Sequence, residues 1–174
     1  HARRPGHHPR RGRGGARITS PQHTPLTVAA VDCGTNSIRL LITRRSDDGT
    51  LTEVTRENSI VRLGQGVDET GRFNPEAIER TRQALATYTE RMRAEGVQRV
   101  RMVATSATRD ASNREDFFSM TRELLGQIQQ GAQAEVISGD EEAHLSFRGA
   151  TADIDLARGP FCVIDLGGGS TEFV

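Results

Sequence analysis

Lysine is absent from the sequence: all 23 basic residues are arginine. No lysine amine can therefore form a Schiff base or grip a phosphate, and that work would fall to guanidinium groups. Cysteine is scarce. Cys33 and Cys162 each sit in an apolar, strand-like run, and neither belongs to a Cys-x-x-Cys pair. This argues against a disulfide framework, points to a reducing cytoplasmic compartment, and casts both cysteines as small buried hydrophobes. No apolar run reaches about 18 residues, so no membrane-spanning helix is expected. The basic N-terminus is not followed by the apolar core of a signal peptide.

Charge is balanced in total and uneven along the chain. Residues 1–23 contain Arg3, Arg4, Arg10, Arg11, Arg13 and Arg17 and no acid. The remainder carries 17 arginines against 23 acids, a net charge of −6. Residues 1–25, rich in His, Arg, Gly and Pro, read as a disordered basic tail. No nucleic-acid partner is expected beyond a weak contact through that tail. Because the chain starts at His1 rather than Met, the tail reads as upstream or appended sequence. The length of 174 residues suits one domain, or one domain plus a piece of another.

Val28–Val31 is a short apolar run and Ile38–Ile42 a second; between them lie Asp32, Gly34, Thr35, Asn36 and Ser37. This reads as strand, polar turn, strand. A turn of that composition can aim hydroxyls, an amide and backbone N–H groups at one point, with a carboxylate beside them, which suits phosphate and a hydrated cation. An ordinary hairpin with an inert polar turn is the simpler alternative. A third strand follows, from Leu51 to about Arg62, and Leu63–Gly71 reads as a glycine-punctuated loop. Asn74-Pro75 opens a helix that buries Ile78, Thr81, Leu85, Tyr88 and Met92 and ends at Gly96. Val97–Ala104 is a strand and Ala104–Asn113 a loop. Asn113 caps a second helix, with Phe117, Phe118, Thr121, Leu124, Leu125 and Ile128 inward. Ala134–Ile137 is a strand. Ser138 and Glu141 form a capping box for a helix from about Asp140 to Ala152.

The order β-β-β-α-β-α-β-α predicts an α/β fold with a mixed sheet and helices packed on it. The opening theme then returns. Phe161–Asp165 reads as a strand, Leu166–Gly169 as a tight turn, and Ser170–Val174 as the start of another strand. This points to two similar domains, 26–158 and a truncated one beginning at 159–174.

Asp32-Cys-Gly-Thr-Asn-Ser37 followed by Asp165-Leu-Gly-Gly-Gly-Ser-Thr-Glu172 resembles the two phosphate loops of the actin-like ATPase superfamily. Within it, the segments Ala104–Asn113, Ile137–Ala143 and Gly167–Glu172 resemble the exopolyphosphatase / guanosine pentaphosphate phosphatase family over about residues 26–174. The resemblance implies an actin-like ATPase (ribonuclease H-like) domain with a five-stranded sheet, plus the first hairpin of a second such domain. It implies hydrolysis of a terminal phosphoanhydride of inorganic polyphosphate or guanosine pentaphosphate, with magnesium as the metal. A homodimer is common among such enzymes.

The resemblance also suggests roles. Glu142 would align or activate the water, and Asp165 and Glu172 would be the carboxylates of the second loop. Asp32 and Asp165 would hold the metal. Gly34, Thr35, Asn36, Ser37, Gly167, Gly168, Gly169 and Ser170 would bind phosphate through hydroxyls and backbone donors, with Arg39 and Arg109 as guanidinium ligands. Without the resemblance, Glu142 reads as compensation of a helix dipole and the two arginines as surface ion-pair partners. Two other readings stand beside the hydrolase: a nucleotide-binding regulatory module without turnover, and a kinase of the same superfamily. With only one wall of an interdomain cleft in hand, residues 1–174 alone are expected to be inactive.

Overall fold

The computed structural model describes residues 25–174; the expected basic tail lies outside the described residues, except for exposed Pro25. Strand β1 (Leu26–Cys33) pairs antiparallel with β2 (Ser37–Arg45), placing Val31 opposite Leu40 and Cys33 opposite Ile38. Alternation sends Ala29, Val31, Cys33, Ile38, Leu40 and Ile42 to one buried face. Asp32 therefore points to the other face. Strand β3 (Leu51–Ile60) pairs with β2 along the sheet edge, with a bulge at Ile42/Thr43. It stops before the expected Arg62, which adopts φ 50° in the turn beyond.

The loop expected at Leu63–Gly71 contains one helical turn, α1 (Val67–Thr70). Helix α2 (Pro75–Ala94) begins as the sequence predicts: Pro75 takes the first position, and the Asn74 side chain accepts from the N–H of Glu76 at 2.8 Å. Thr81, Leu85, Tyr88 and Met92 are buried, whereas Ile78 is only partly so. Burying side chains the size of Leu85 and Met92 contributes about 1.5–3 kcal/mol each. The Tyr88 hydroxyl donates to the Ile38 carbonyl at 3.0 Å, locking α2 onto β2.

Strand β4 (Arg99–Ala104) runs parallel to β1, with Met102 beside Val31 and Ala104 beside Cys33. The following stretch is not all loop: Ser106–Asp110 forms a short helix, α3. Helix α4 (Arg114–Leu125) buries Phe117, Met120, Thr121, Leu124 and Leu125, while Phe118 and Ile128 are only partly buried. Asn113 precedes it without a side-chain cap. Its amide is engaged elsewhere, accepting from the N–H of Phe73 at 2.7 Å and donating to the Phe73 carbonyl at 3.2 Å, which ties the entry of α2 to α4. Strand β5 (Ala134–Val136) pairs parallel with β4, and helix α5 (Gly139–Ala150) starts at the expected Ser138 cap, whose hydroxyl accepts from the N–H of Glu141.

The sheet order is β3-β2-β1-β4-β5, antiparallel on one side of β1 and parallel on the other. The parallel strands β1, β4 and β5 end at one rim, joined by Thr105 N–H to Cys33 O and Ile137 N–H to Ala104 O. In open sheets of this kind, that rim is where ligands bind. A second, two-stranded sheet pairs β6 (Ile164–Leu166) with β7 (Thr171–Phe173), and β7 packs against α5. The expected strand from Phe161 is thus shorter, and Cys162 is exposed rather than a buried hydrophobe; Cys33 is buried.

Candidate functional site

The chain makes the same tight turn twice. The N–H of Gly34 donates to the Ser37 carbonyl at 2.9 Å, and the N–H of Gly167 donates to the Ser170 carbonyl at 2.9 Å. Each turn follows an aspartate at the end of a strand. In the first loop, the backbone carbonyls of Thr35 and Asn36 accept from Gly64, Val61 and Arg62, each at 2.9 Å. Those bonds spend the carbonyls on the fold and leave the hydroxyls and amide for the rim.

The two loops touch. A Cβ on Gly169 would lie 2.6 Å from Thr35 Oγ1 and 2.7 Å from Ser106 Oγ, and one on Gly168 would collide with the Asn36 amide. A side chain at either position would have to displace those groups, so the approach as it stands suits glycine. Thr35 and Ser106 also share a hydrogen bond of 2.9 Å, so the first loop, the end of β4 and the second loop meet at one point. They enclose a polar cleft of about 200 Å³. From the first loop it is lined by Asp32, Gly34, Thr35, Asn36, Ser37 and Arg39. From the second it receives Asp165, Gly167, Gly168 and Ser170, with Glu142 reaching in from α5. A larger groove of about 580 Å³ lies over Ala30, Leu41, Val103 and Leu145 on the open face of the sheet. Its floor is apolar, and Arg39, Arg56 and Arg101 stand among its lining residues.

A chamber of about 230 Å³ adjoins the cleft, and Asp32, Thr105, Glu142 and Asp165 line both. Glu142 sits in the first turn of α5 with its side chain 16% exposed. Burial pushes its carboxyl upward; the hydrogen bond from Arg109 pulls it down, and the negative charges of Glu172 and Asp32 push it up again. Asp32 is raised as well, chiefly by burial, against the pull of Arg39 and with a push from Asp165.

The remaining expected residues fall in different places. Arg109 does not line the cleft. Its Nη1 donates to the Ile137 carbonyl at 2.7 Å and to Glu142 Oε2 at 3.1 Å, so it grips the carboxylate rather than facing the cleft. Arg39 is exposed, 3.7 Å from Asp32 Oδ2. Glu172 is buried on β7, opposite Asp165 in the ladder, and lies outside the cleft lining, as does Gly169. Three lining residues were not singled out by the sequence: Leu166 in the second loop, and Thr105 and Ser106. The signal for Thr105 and Ser106 is positional: they follow the end of β4 as Gly34 and Thr35 follow the end of β1. Ser146 was also missed. It lies one helical turn past Glu142, and its hydroxyl donates to Asp165 Oδ2.

Among the described residues, no group of three His, Cys, Asp or Glu stands close enough to hold a metal unaided. Asp32 and Asp165 nevertheless supply two carboxylates beside several hydroxyls, an all-oxygen donor set. That set fits magnesium, which takes one or two protein carboxylates and completes its shell with water and substrate phosphate.

A β3-β2-β1-β4-β5 sheet, with a strand–aspartate–glycine turn used twice about one cleft, defines the actin-like ATPase fold class. Within that class the chain belongs to the Ppx/GppA phosphatase family, whose model matches residues 42–174. It is 60% identical over 150 residues to Exopolyphosphatase 2 of Mycobacterium tuberculosis, covering 84% of this chain and 47% of that protein. It superposes on the crystal structure of an exopolyphosphatase-like protein with TM-score 0.74 and 47% identity, covering 86% of this chain and 44% of the other. A Ppx/GppA family member from Aquifex aeolicus gives TM-score 0.70 at 35% identity, covering 86% and 47%. The chain thus spans about half the length of the curated relatives it matches. Among the described residues, no helix is long and apolar enough to cross a membrane.

Proposed function

We propose that this chain is the N-terminal part of a phosphohydrolase that releases orthophosphate from the end of inorganic polyphosphate or from guanosine pentaphosphate. The observation that carries the reading is the placement of Glu142. A largely buried carboxylate of raised pKa shares a chamber with Asp32 and Asp165 and lines the same cleft as Thr35, Asn36, Ser37 and the glycines of the second loop. That is the arrangement a water nucleophile needs when the electrophile is a bound phosphoryl group.

The terminal phosphoryl oxygens lie against Thr35, Asn36, Ser37, Gly168 and Ser170, where hydroxyl, amide and backbone N–H donors meet developing charge, while the N–H of Gly167 is held within its own turn. Glu142 accepts a proton from a water in the chamber. The water oxygen bonds to phosphorus, the anhydride P–O bond breaks, and the electron pair leaves on the shortened chain. Asp32 and Asp165 would hold magnesium, which when bound would supply positive charge against the phosphoryl oxygens and the leaving group. Glu172 adds negative charge behind Glu142. Arg39 lies at the mouth, available to the phosphate chain.

In this reading residues 26–158 form one domain, 159–174 open a second, and the cleft lies between them. The relatives' extra length supports that division. A cytoplasmic location and a homodimer of the complete protein belong to the same proposal. The test is phosphate release from polyphosphate and from guanosine pentaphosphate by a form spanning the length of the relatives. Release from either supports the reading. Tight nucleotide binding without release from either overturns it in favour of a non-hydrolytic module, and transfer to a sugar hydroxyl overturns it in favour of a kinase. The 174-residue chain alone is expected to release none.

A further inference from the structure

Helical hydroxyls in this protein mostly bond locally. Thr81, Thr87 and Thr89 on α2 donate to the carbonyls four residues back, Ala77, Gln83 and Leu85. Thr151, at the end of α5, does the same to Phe147. That is the usual fate of such a hydroxyl inside a helix. Ser146 breaks the pattern: its Oγ leaves α5 and donates to Asp165 Oδ2 on β6.

Asp165 needs such a partner. It faces Asp32 across the chamber, so like charge pushes the two carboxylates apart. Strand β6 beneath it is three residues long and exposes Ile164 and Leu166 on either side. The glycine contacts of the second loop involve its backbone and do not include the Asp165 carboxylate. Ser146 lies four residues after Glu142, on the same face of α5.

We propose that Ser146 is a positioning residue: its hydroxyl holds the Asp165 carboxylate of β6 against α5, so that the Glu142 and Asp165 carboxylates are both anchored to that helix. The proposal rests on the phosphohydrolase reading for its catalytic meaning, but the coupling of α5 to the second loop can be measured without turnover.

The experiment compares Ser146→Ala and Ser146→Thr with the parent chain in two measurements. In the 174-residue chain, amide hydrogen exchange over 164–173 is expected to speed up about tenfold in Ser146→Ala and to return to the parent rate in Ser146→Thr, with the strands β1, β2 and β4 unchanged. In a form spanning the length of the relatives, kcat for phosphate release is expected to fall by about 10–100-fold in Ser146→Ala with KM within about threefold, and Ser146→Thr to recover most of the loss. Unchanged exchange in Ser146→Ala overturns the proposal whatever the activity. Faster exchange accompanied by a rise in KM with kcat intact overturns it too, since Ser146 would then serve substrate binding. No turnover by the parent protein would sink the phosphohydrolase reading alone and leave the exchange measurement to decide the coupling.

Discussion

The two glycine turns share a hydrogen-bond pattern and differ in what supports them. The first stands on the central strands of a five-stranded sheet, where Val31, Cys33, Ile38 and Leu40 are no more than 1% exposed. The second stands on two strands of three residues each, where Ile164, Leu166 and Phe173 are 62%, 82% and 70% exposed. The first is positioned by a core. The second is positioned by contact, through Gly168 on Asn36, Gly169 on Thr35 and Ser106, and β7 on α5. Identical local chemistry can thus be held in register by burial on one side of a cleft and by shape on the other.

That contrast can be broken most forcefully at Glu142, which lines the cleft with both loops and is the proposed base. In a form spanning the length of the relatives, Glu142→Gln is expected to lower kcat by about 10²–10⁴ with little change in KM. Parallel loss in both constants would make Glu142 a structural member of one wall. Next come the glycines. Gly169→Val should cost on the order of 10² in kcat/KM, because the loops must separate. Gly34→Ala should cost far less, since its Cβ would meet nothing closer than 3.7 Å. Similar losses at the two positions would erase the distinction between shape and burial.

Urea unfolding of the 174-residue chain measures the other half of the contrast. Leu40→Ala is expected to destabilise it by about 2–5 kcal/mol, and Leu166→Ala by about 0.5 kcal/mol or less. The smallest effect concerns pH. Arg109 lowers the pKa of Glu142 against burial, so Arg109→Met should let the carboxylate protonate at higher pH. The acid limb of the kcat profile then moves upward in pH, because the base form is lost earlier as pH falls. A limb that stays in place would detach Arg109 from Glu142.

Much of this was legible in the chain itself. Asn74-Pro75 and Ser138 announce helix starts through local hydrogen bonds, and the repeated strand–aspartate–glycine theme locates both turns. What escaped depends on distance along the chain. Arg109 is expected at the phosphate through the family resemblance and as an ion-pair partner without it, and nothing near it in sequence shows that the partner is Glu142, 33 residues on. Asn113 looked like a cap, and its amide is claimed by Phe73, 40 residues earlier. Ser106–Asp110 offers no apolar period, so its helical turn is invisible to pattern reading, and with it the part played by Thr105 and Ser106.

The central place of β1 has a consequence in time. Its antiparallel neighbour β2 follows at once, but its parallel neighbour β4 comes much later: Thr35 waits for Ser106, 71 residues further on. At the 5–20 residues per second of ribosomal synthesis, the interval is roughly 4–14 s. Throughout it, one edge of β1 is complete and the other stands open as an unpaired template. The cradle cannot close before the newly made chain has travelled around α2 and come back to that edge.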